Sequence, residues 1–233
     1  MSYQGYLAQA WSLTMNRLLL VVVAGVLLPA CSQQASQALT HTQAQHQSTA
    51  ETTDSHSSQP SFDCNSDKLS SIETLICHDA DLAALDQQMA KVFQAASTKA
   101  INEYPPMLKA EQRGWIKGRN ECWKSEDKTQ CVRDTYQMRI AELQARYRLI
   151  APTAEVSYQC DDIAAKQVMV SYFATEPATL IAEFGDSVSL MVSQPSASGS
   201  RYQGRNESLW EHHGEARITW GYGAAPMICT LAD

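Results

Sequence analysis

Apolar residues recur at helical spacing through residues 61 to 150. Three faces repeat at three- and four-residue steps: Leu82, Leu85, Met89, Val92 and Ala96; Leu108, Gln112, Trp115, Arg119 and Cys122; Val132, Tyr136, Ile140, Leu143 and Tyr147. Ser70 and Glu73 have the spacing of a capping box, which predicts a helix start. Tyr104-Pro105-Pro106 ends the first run, because proline cannot continue a helix. The segment is therefore predicted to be a helical domain.

After Pro152 the hydrophobic period changes to two. Gly, Pro, Asp or Asn separate six short β-rich runs, which are QVMVSYF, TLIAEF, SVSLMVS, ESLWEH, ARITW and MICTL. Six to eight strands in about 80 residues predict a small antiparallel barrel or sandwich. The predicted fold class is therefore α+β with two domains, a helical module over 61–150 and a β-domain, for which we favour a barrel, over 153–233.

The N-terminal apolar run has the regions of a signal peptide in the expected order. MNRLLLVVVAGVLLPAC places Arg17 before an apolar core and a small residue before Cys31. The run is too short to span a bilayer. LPAC resembles a bacterial lipobox, in which Cys31 is diacylated on sulfur, and an ordinary cleaved signal is the alternative. We predict a signal peptide over 1–30, with Met15 as an alternative start.

Residues 31–60 begin with the predicted lipidated Cys31 and continue in Ser, Gln, Thr and His. Few large apolar side chains are present, so the segment cannot bury enough surface to offset chain entropy. It is predicted to be a disordered tether. Ser32 after the cysteine resembles the class sorted to the outer membrane, which predicts an outer-membrane anchor with the folded part facing the periplasm.

Without Cys31, six of the seven cysteines remain. An even number in an exported chain predicts three disulfides. Cys160 and Cys229 lie at the two ends of the β-domain and are predicted to pair. The four others allow three connectivities, and folding the second helix back on the first favours a nested pairing of Cys77–Cys122 and Cys64–Cys131.

Metal, cofactor and nucleic-acid functions are not expected. No two cysteines have CxxC spacing, and His78, His212 and His213 do not complete a metal-ligand pattern. Residues 61–150 carry 13 acidic and 13 basic side chains, which is typical of solvated helix faces and not of a nucleic-acid interface.

The segment SASGSRY, residues 196–202, lies between two predicted strands. Gly199 gives the backbone freedom, and Ser196 and Ser198 supply hydroxyls, so a polar loop is predicted. Tyr202 is expected to pack at the loop base. Arg201 is either a structural brace or a partner contact.

The helical segment resembles the LprI-like N-terminal domain, a small envelope module whose named relative is a lysozyme inhibitor. The matching stretches are FDC, IETLIC, DLAALD and QRGWIKGRNEC. The likeness identifies the family more than the activity. Trp115 and Arg119 are expected to serve the core and helix pairing.

The β-domain resembles the membrane-bound lysozyme inhibitor of C-type lysozyme, MliC, and its periplasmic relatives. The similarity lies in YQC, SASGSRY, a Trp nine residues past Arg201, GEA and the terminal cysteine. In that family the serine equivalent to Ser198 contacts the catalytic Asp of lysozyme, and a lysine contacts the catalytic Glu. The family's W-x-K-G is here Trp210-Glu211-His212-His213, so His212 stands at the lysine position.

The resemblance implies a non-enzymatic lipoprotein that binds C-type lysozyme through residues 196 to 213. The expected contacts are Ser196, Ser198, Gly199, Arg201, Tyr202, His212 and His213. Residues 151–233 hold 10 acidic and 4 basic side chains, a net charge of −6 that suits a basic lysozyme. A serine hydrolase is disfavoured because SASGS is not the G-x-S-x-G elbow. A non-inhibitory envelope module that binds peptidoglycan or another envelope protein is the alternative. Because the four and two cysteines of the two modules pair off separately, the β-domain is expected to fold and inhibit alone.

Overall fold

The computed structural model describes residues 59–104 and 106–232. The predicted signal peptide, the lipidated Cys31 and the tether up to residue 58 lie outside the described residues. The helices are α1 (Ser71–His78), α2 (Ala80–Lys99), α3 (Leu108–Asn120) and α4 (Lys128–Arg146), with 3-10 turns at Ala100–Asn102 and Glu121–Lys124. Within this part of the chain, no helix combines the length and the apolar character that crossing a bilayer requires.

Side-chain caps set the helix boundaries. The capping box predicted at Ser70 is confirmed: the Glu73 backbone N–H donates to the Ser70 hydroxyl, and the Ser70 N–H donates to the Glu73 carboxylate. Asp79 then separates α1 from α2, because it has extended backbone angles and its carboxylate accepts from the N–H groups of Asp81 and Leu82. The sequence pattern did not predict this break.

A buried polar network crosses the helical domain. The Arg119 guanidinium donates to the Tyr136 hydroxyl at 2.7 Å, and that hydroxyl donates to Asp86 at 2.7 Å. Arg119 and Asp86 are only 3% and 5% exposed, so each charge depends on the other to offset its lost hydration. Burial disfavours ionisation of Glu73, but the hydrogen bonds from Ser70 and the charge of Arg119 hold the Glu73 pKa below its ordinary value.

The prediction that Trp115 and Arg119 serve the core is confirmed. The Trp115 ring packs edge-on against Tyr136 with centroids 5.2 Å apart, and its N–H donates to the Thr135 carbonyl at 3.3 Å. The guanidinium carbon of Arg119 lies 5.7 Å from the centroid of the Trp115 ring. These residues therefore join α3 to α4.

The nested disulfide pairing predicted for the helical domain, Cys77–Cys122 and Cys64–Cys131, is wrong. The observed bonds are Cys64–Cys77 and Cys122–Cys131, separated by 13 and 9 residues. The chain before α1 folds back along that helix, which places Cys64 beside the last turn of α1. The short connection from α3 to α4 places Cys122 beside the first turn of α4. Both bonds therefore link residues that are close in sequence, across a reversal of the chain.

The strands close into an eight-stranded antiparallel barrel, which decides between the barrel and the sandwich. They are β1 (Ala154–Cys160), β2 (Gln167–Phe173), β3 (Thr179–Phe184), β4 (Ser187–Gln194), β5 (Ser200–Gln203), β6 (Ser208–His212), β7 (Glu215–Thr219) and β8 (Met227–Leu231). β1 pairs with β8, and Cys160 lies opposite Cys229 in that pair. The disulfide predicted between them is present. Alternating buried side chains, such as Val168, Val170, Leu209 and Ile218, fill the interior.

The end of α4 packs on the outer face of the barrel. Phe173 and Ile181 point outward from β2 and β3, yet they are only 2% and 7% exposed because Ala145 and Ile150 cover them. Arg148 extends this contact, with its guanidinium 3.1 Å from Glu155 and 5.4 Å from the Phe173 ring centroid. Independent folding of residues 153–233 stays a prediction, and it requires the fragment to expose this apolar patch.

Candidate functional site

The connection between β4 and β5, residues 195–199, is fixed against β6. Gly199 has a φ of +68°, and a Cβ atom there would lie 2.1 Å from the Glu211 carbonyl oxygen. Only glycine permits so close a backbone approach at this φ. Freedom of the loop was the expected reason for this glycine. The structure gives a different reason, since Gly199 brings the loop against the neighbouring strand.

Two hydrogen bonds to the same carbonyl group hold the loop in shape. The Ser196 hydroxyl donates to the Ser198 carbonyl oxygen at 2.6 Å, and the Trp210 indole N–H donates to that oxygen at 3.1 Å. The Ser198 side chain itself is exposed. The result is an ordered turn that directs a hydroxyl into solvent. Sequence reasoning used Trp210 only as a family marker and missed its bond to the loop.

The β6–β7 hairpin places two histidines next to this turn. His212 pairs with Glu215 across a two-residue connection, in which His213 and Gly214 have φ values of +54° and +80°. Positive φ at both central residues is what a type I′ turn requires. The imidazole of His212 lies beside Gly199 and has its centroid 3.9 Å from that of His213. The structure therefore brings together Ser196, Ser198, Gly199, His212 and His213, all of which the sequence predicts to be lysozyme contacts. Their contact with lysozyme stays a prediction.

Arg201 and Tyr202 are strand residues of β5 and point to opposite faces. Tyr202 is half-buried in the barrel interior, where its ring packs edge-on against Tyr172 with centroids 5.8 Å apart. Burial, and then the Glu211 carboxylate, raise the pKa of Tyr202, so the phenol stays protonated at neutral pH. Its packing at the loop base is as predicted, and this position suits support of the loop better than direct contact with a partner.

Arg201 points to the outer face, where it lies opposite Trp210 of β6. Trp210 in turn lies opposite Arg217 of β7. Arg217 was not among the predicted site residues, because strand register across three strands cannot be read from a single sequence. The strand–turn–strand setting of Ser198 differs from the strand–turn–helix of a hydrolase nucleophile elbow.

Comparison with known proteins finds a similar family for each half. Residues 158–227 match the model for the membrane-bound lysozyme inhibitor of c-type lysozyme. Residues 64–128 match the model for the lysozyme inhibitor LprI. Both matches confirm the resemblances drawn from the sequence.

Two curated relatives match about two thirds of the chain. Lipoprotein LprI of Mycobacterium bovis and lipoprotein LprI of Mycobacterium tuberculosis (strain H37Rv) are each 28% identical to this chain over 159 residues. The match spans 68% of this chain and 78% of each relative. No solved structure gives a significant match. The helical half is thus similar to the lysozyme inhibitor LprI, and the barrel is similar to the membrane-bound lysozyme inhibitor of c-type lysozyme.

Proposed function

We propose that this chain is a lipid-anchored envelope protein that inhibits C-type lysozyme by placing residues 195–199 in the active-site cleft of the enzyme. The observation that carries the proposal is the ordered turn itself. It projects the Ser198 hydroxyl into solvent, and a half-buried His212 lies directly beside it. Little conformational entropy remains to be lost when such a turn binds, which favours affinity.

The chemistry of the cleft suits these groups. C-type lysozymes cleave peptidoglycan with a protonated general acid and an ionised carboxylate in a deep groove. A hydroxyl satisfies a carboxylate as a hydrogen-bond donor, and a histidine adds a positive charge when it is protonated. The net charge of −6 on residues 151–233 attracts a basic enzyme over longer distances, and this attraction weakens with salt.

The proposed anchor is Cys31, with the outer membrane as the site of attachment and the folded part in the periplasm. Replacement of Cys31 by serine is then expected to release soluble or unprocessed protein without changing the folded domains. Unchanged detergent partitioning together with an unchanged mature mass would contradict lipidation.

A titration tests the inhibitory function. The purified chain is added to a C-type lysozyme, and the loss of activity is expected to be stoichiometric. Ser198→Ala is expected to weaken inhibition, whereas Ser187→Ala, at the first residue of β4 and the end of the strand far from the loop, leaves it unchanged. Retention on peptidoglycan without inhibition supports the non-inhibitory binding module instead. Turnover of an ester or a glycan supports an enzyme.

A further inference from the structure

The outer face of the barrel carries a row of three side chains beside the loop. Arg201 on β5, Trp210 on β6 and Arg217 on β7 are directly paired in register, so their side chains share one face. We call these three residues the Arg–Trp–Arg row. Trp210 is 39% exposed, and its N–H is bonded to the Ser198 carbonyl, so the indole is held upright between the two arginines.

The row is positive on a barrel that is otherwise acidic. Residues 151–233 contain four basic side chains, and two of them are Arg201 and Arg217. Of the other two, Lys166 is bonded to Asp161 at 2.9 Å. Arg217 makes one solvent-exposed contact, at 3.6 Å to Glu215, and no carboxylate of the described residues lies within ion-pair distance of Arg201. The guanidinium of Arg201 is therefore available to an outside carboxylate.

An open groove joins the row to the loop. Pro195, Ser196 and Ala197 line one part of the groove, and the rest is lined by Arg201, Trp210 and Arg217 together with Ser208 and Thr219. A partner that receives the loop therefore also meets the row. Trp and Arg are the residue types most enriched among residues that dominate the energy of protein interfaces, and arginine binds carboxylates with two parallel hydrogen bonds.

We infer that the Arg–Trp–Arg row binds a carboxylate of the lysozyme cleft and supplies the permanent positive charge that a lysine at position 212 would have provided. This inference rests on the proposed function. Trp210 contributes apolar contact area, and Arg201 and Arg217 hold the carboxylate from either side. Because a guanidinium stays charged at any physiological pH, this contact is expected to persist at pH 8.

Binding kinetics separate this local contact from long-range attraction. Loss of an arginine makes the barrel more acidic, so association with a basic lysozyme is expected to stay constant or become faster. Loss of the carboxylate contact instead accelerates dissociation. Arg205→Gln is the matched control. Arg205 is exposed in the β5–β6 turn, so its substitution removes the same charge without touching the row.

The experiment measures association and dissociation rates at pH 8 for the full chain, purified in detergent, on an immobilised C-type lysozyme. Arg201→Gln and Arg217→Gln are each expected to speed dissociation about tenfold, the equivalent of losing one charge-assisted hydrogen bond. Arg201→Lys keeps the charge but cannot form the two parallel hydrogen bonds of a guanidinium. Its dissociation rate is expected to fall between those of wild type and Arg201→Gln. Unchanged thermal midpoints establish that the variants are folded.

Three results overturn the inference. Dissociation rates of Arg201→Gln and Arg217→Gln equal to that of Arg205→Gln would remove the row from the interface while leaving the proposed function intact. Loss of binding to peptidoglycan, with lysozyme kinetics like the control, would assign the row to glycan. A wild-type chain that does not bind lysozyme would overturn both the row and the proposed function.

Discussion

The two halves of the molecule use their charged residues in opposite ways. The helical domain buries Asp86, Arg119 and Arg139, whereas the buried polar side chains of the barrel carry only hydroxyl groups, at Ser171, Thr175, Thr179 and Ser189. The family motif of the helical half thus lies inside the protein, around Arg119. The motif of the barrel lies on its surface, around Ser198. The motif in the helical half holds the fold together, and the motif in the barrel is exposed to solvent.

The largest effect on stability is expected from loss of the buried cation in the helical domain. Arg119→Ala leaves Asp86 and the Tyr136 hydroxyl buried without their cation, and is expected to lower the free energy of unfolding by about 3–5 kcal/mol. Affinity for lysozyme at a temperature where the variant is folded should stay unchanged. Chemical denaturation and a lysozyme titration measure the two quantities. Arg113→Ala, exposed on the same helix, is the control and should change stability by less than about 0.5 kcal/mol.

In the barrel, Gly199→Ala is expected to displace the loop of residues 195–199. The added Cβ meets the Glu211 carbonyl oxygen, so the loop must move away from β6 and lysozyme affinity is expected to fall at least about tenfold. Gly185→Ala is a matched control, because Gly185 also has a positive φ, at +58°, but has open space around it. Equal affinity losses for both variants, measured by calorimetry, would show that loop position does not matter.

His212→Lys sharpens the account of charge at the loop. A lysine carries a permanent positive charge for a cleft carboxylate at every pH between 5.5 and 8, so the variant is expected to bind up to about tenfold more tightly than wild type near pH 8. Dissociation constants across this range, corrected for titration of the lysozyme, provide the measurement. Identical profiles would remove His212 from the interface.

A smaller effect is expected at the start of α1. Glu73→Gln removes the ionised partner of Arg119 and weakens the capping box, at a cost of about 1 kcal/mol near neutral pH. Because the folded-state pKa of Glu73 is lowered, its contribution is present above the unfolded-state pKa and is lost as the pH falls through the folded-state value. Denaturation midpoints between pH 7 and pH 3 should therefore converge for the variant and wild type. A constant difference would contradict this ionic role.

Regular strands were predictable because alternation of apolar residues is a local property. QVMVSYF, TLIAEF and MICTL coincide with β2, β3 and β8. The strands β1 and β5 were not among the six runs. The segment SRYQ of β5 contains one large apolar residue and depends on its neighbours for pairing. The loop and both histidines were likewise predicted from a compact motif.

Features that depend on chain reversal were not predictable. The disulfides of the helical domain follow the local folding of the α3–α4 turn and of the segment before α1, which hydrophobic spacing does not specify. Arg217 joins Arg201 and Trp210 only through the register of three strands. The close contact between Gly199 and Glu211 also requires two strands to be placed side by side.

Competition for the lysozyme cleft tests the central claim most directly. A chito-oligosaccharide that fills the cleft is added at increasing concentration, and the apparent dissociation constant of the full chain for lysozyme is measured at each step. Insertion of residues 195–199 into the cleft predicts an apparent dissociation constant that rises in proportion to saccharide concentration. A dissociation constant that stays the same when the cleft is saturated would contradict it.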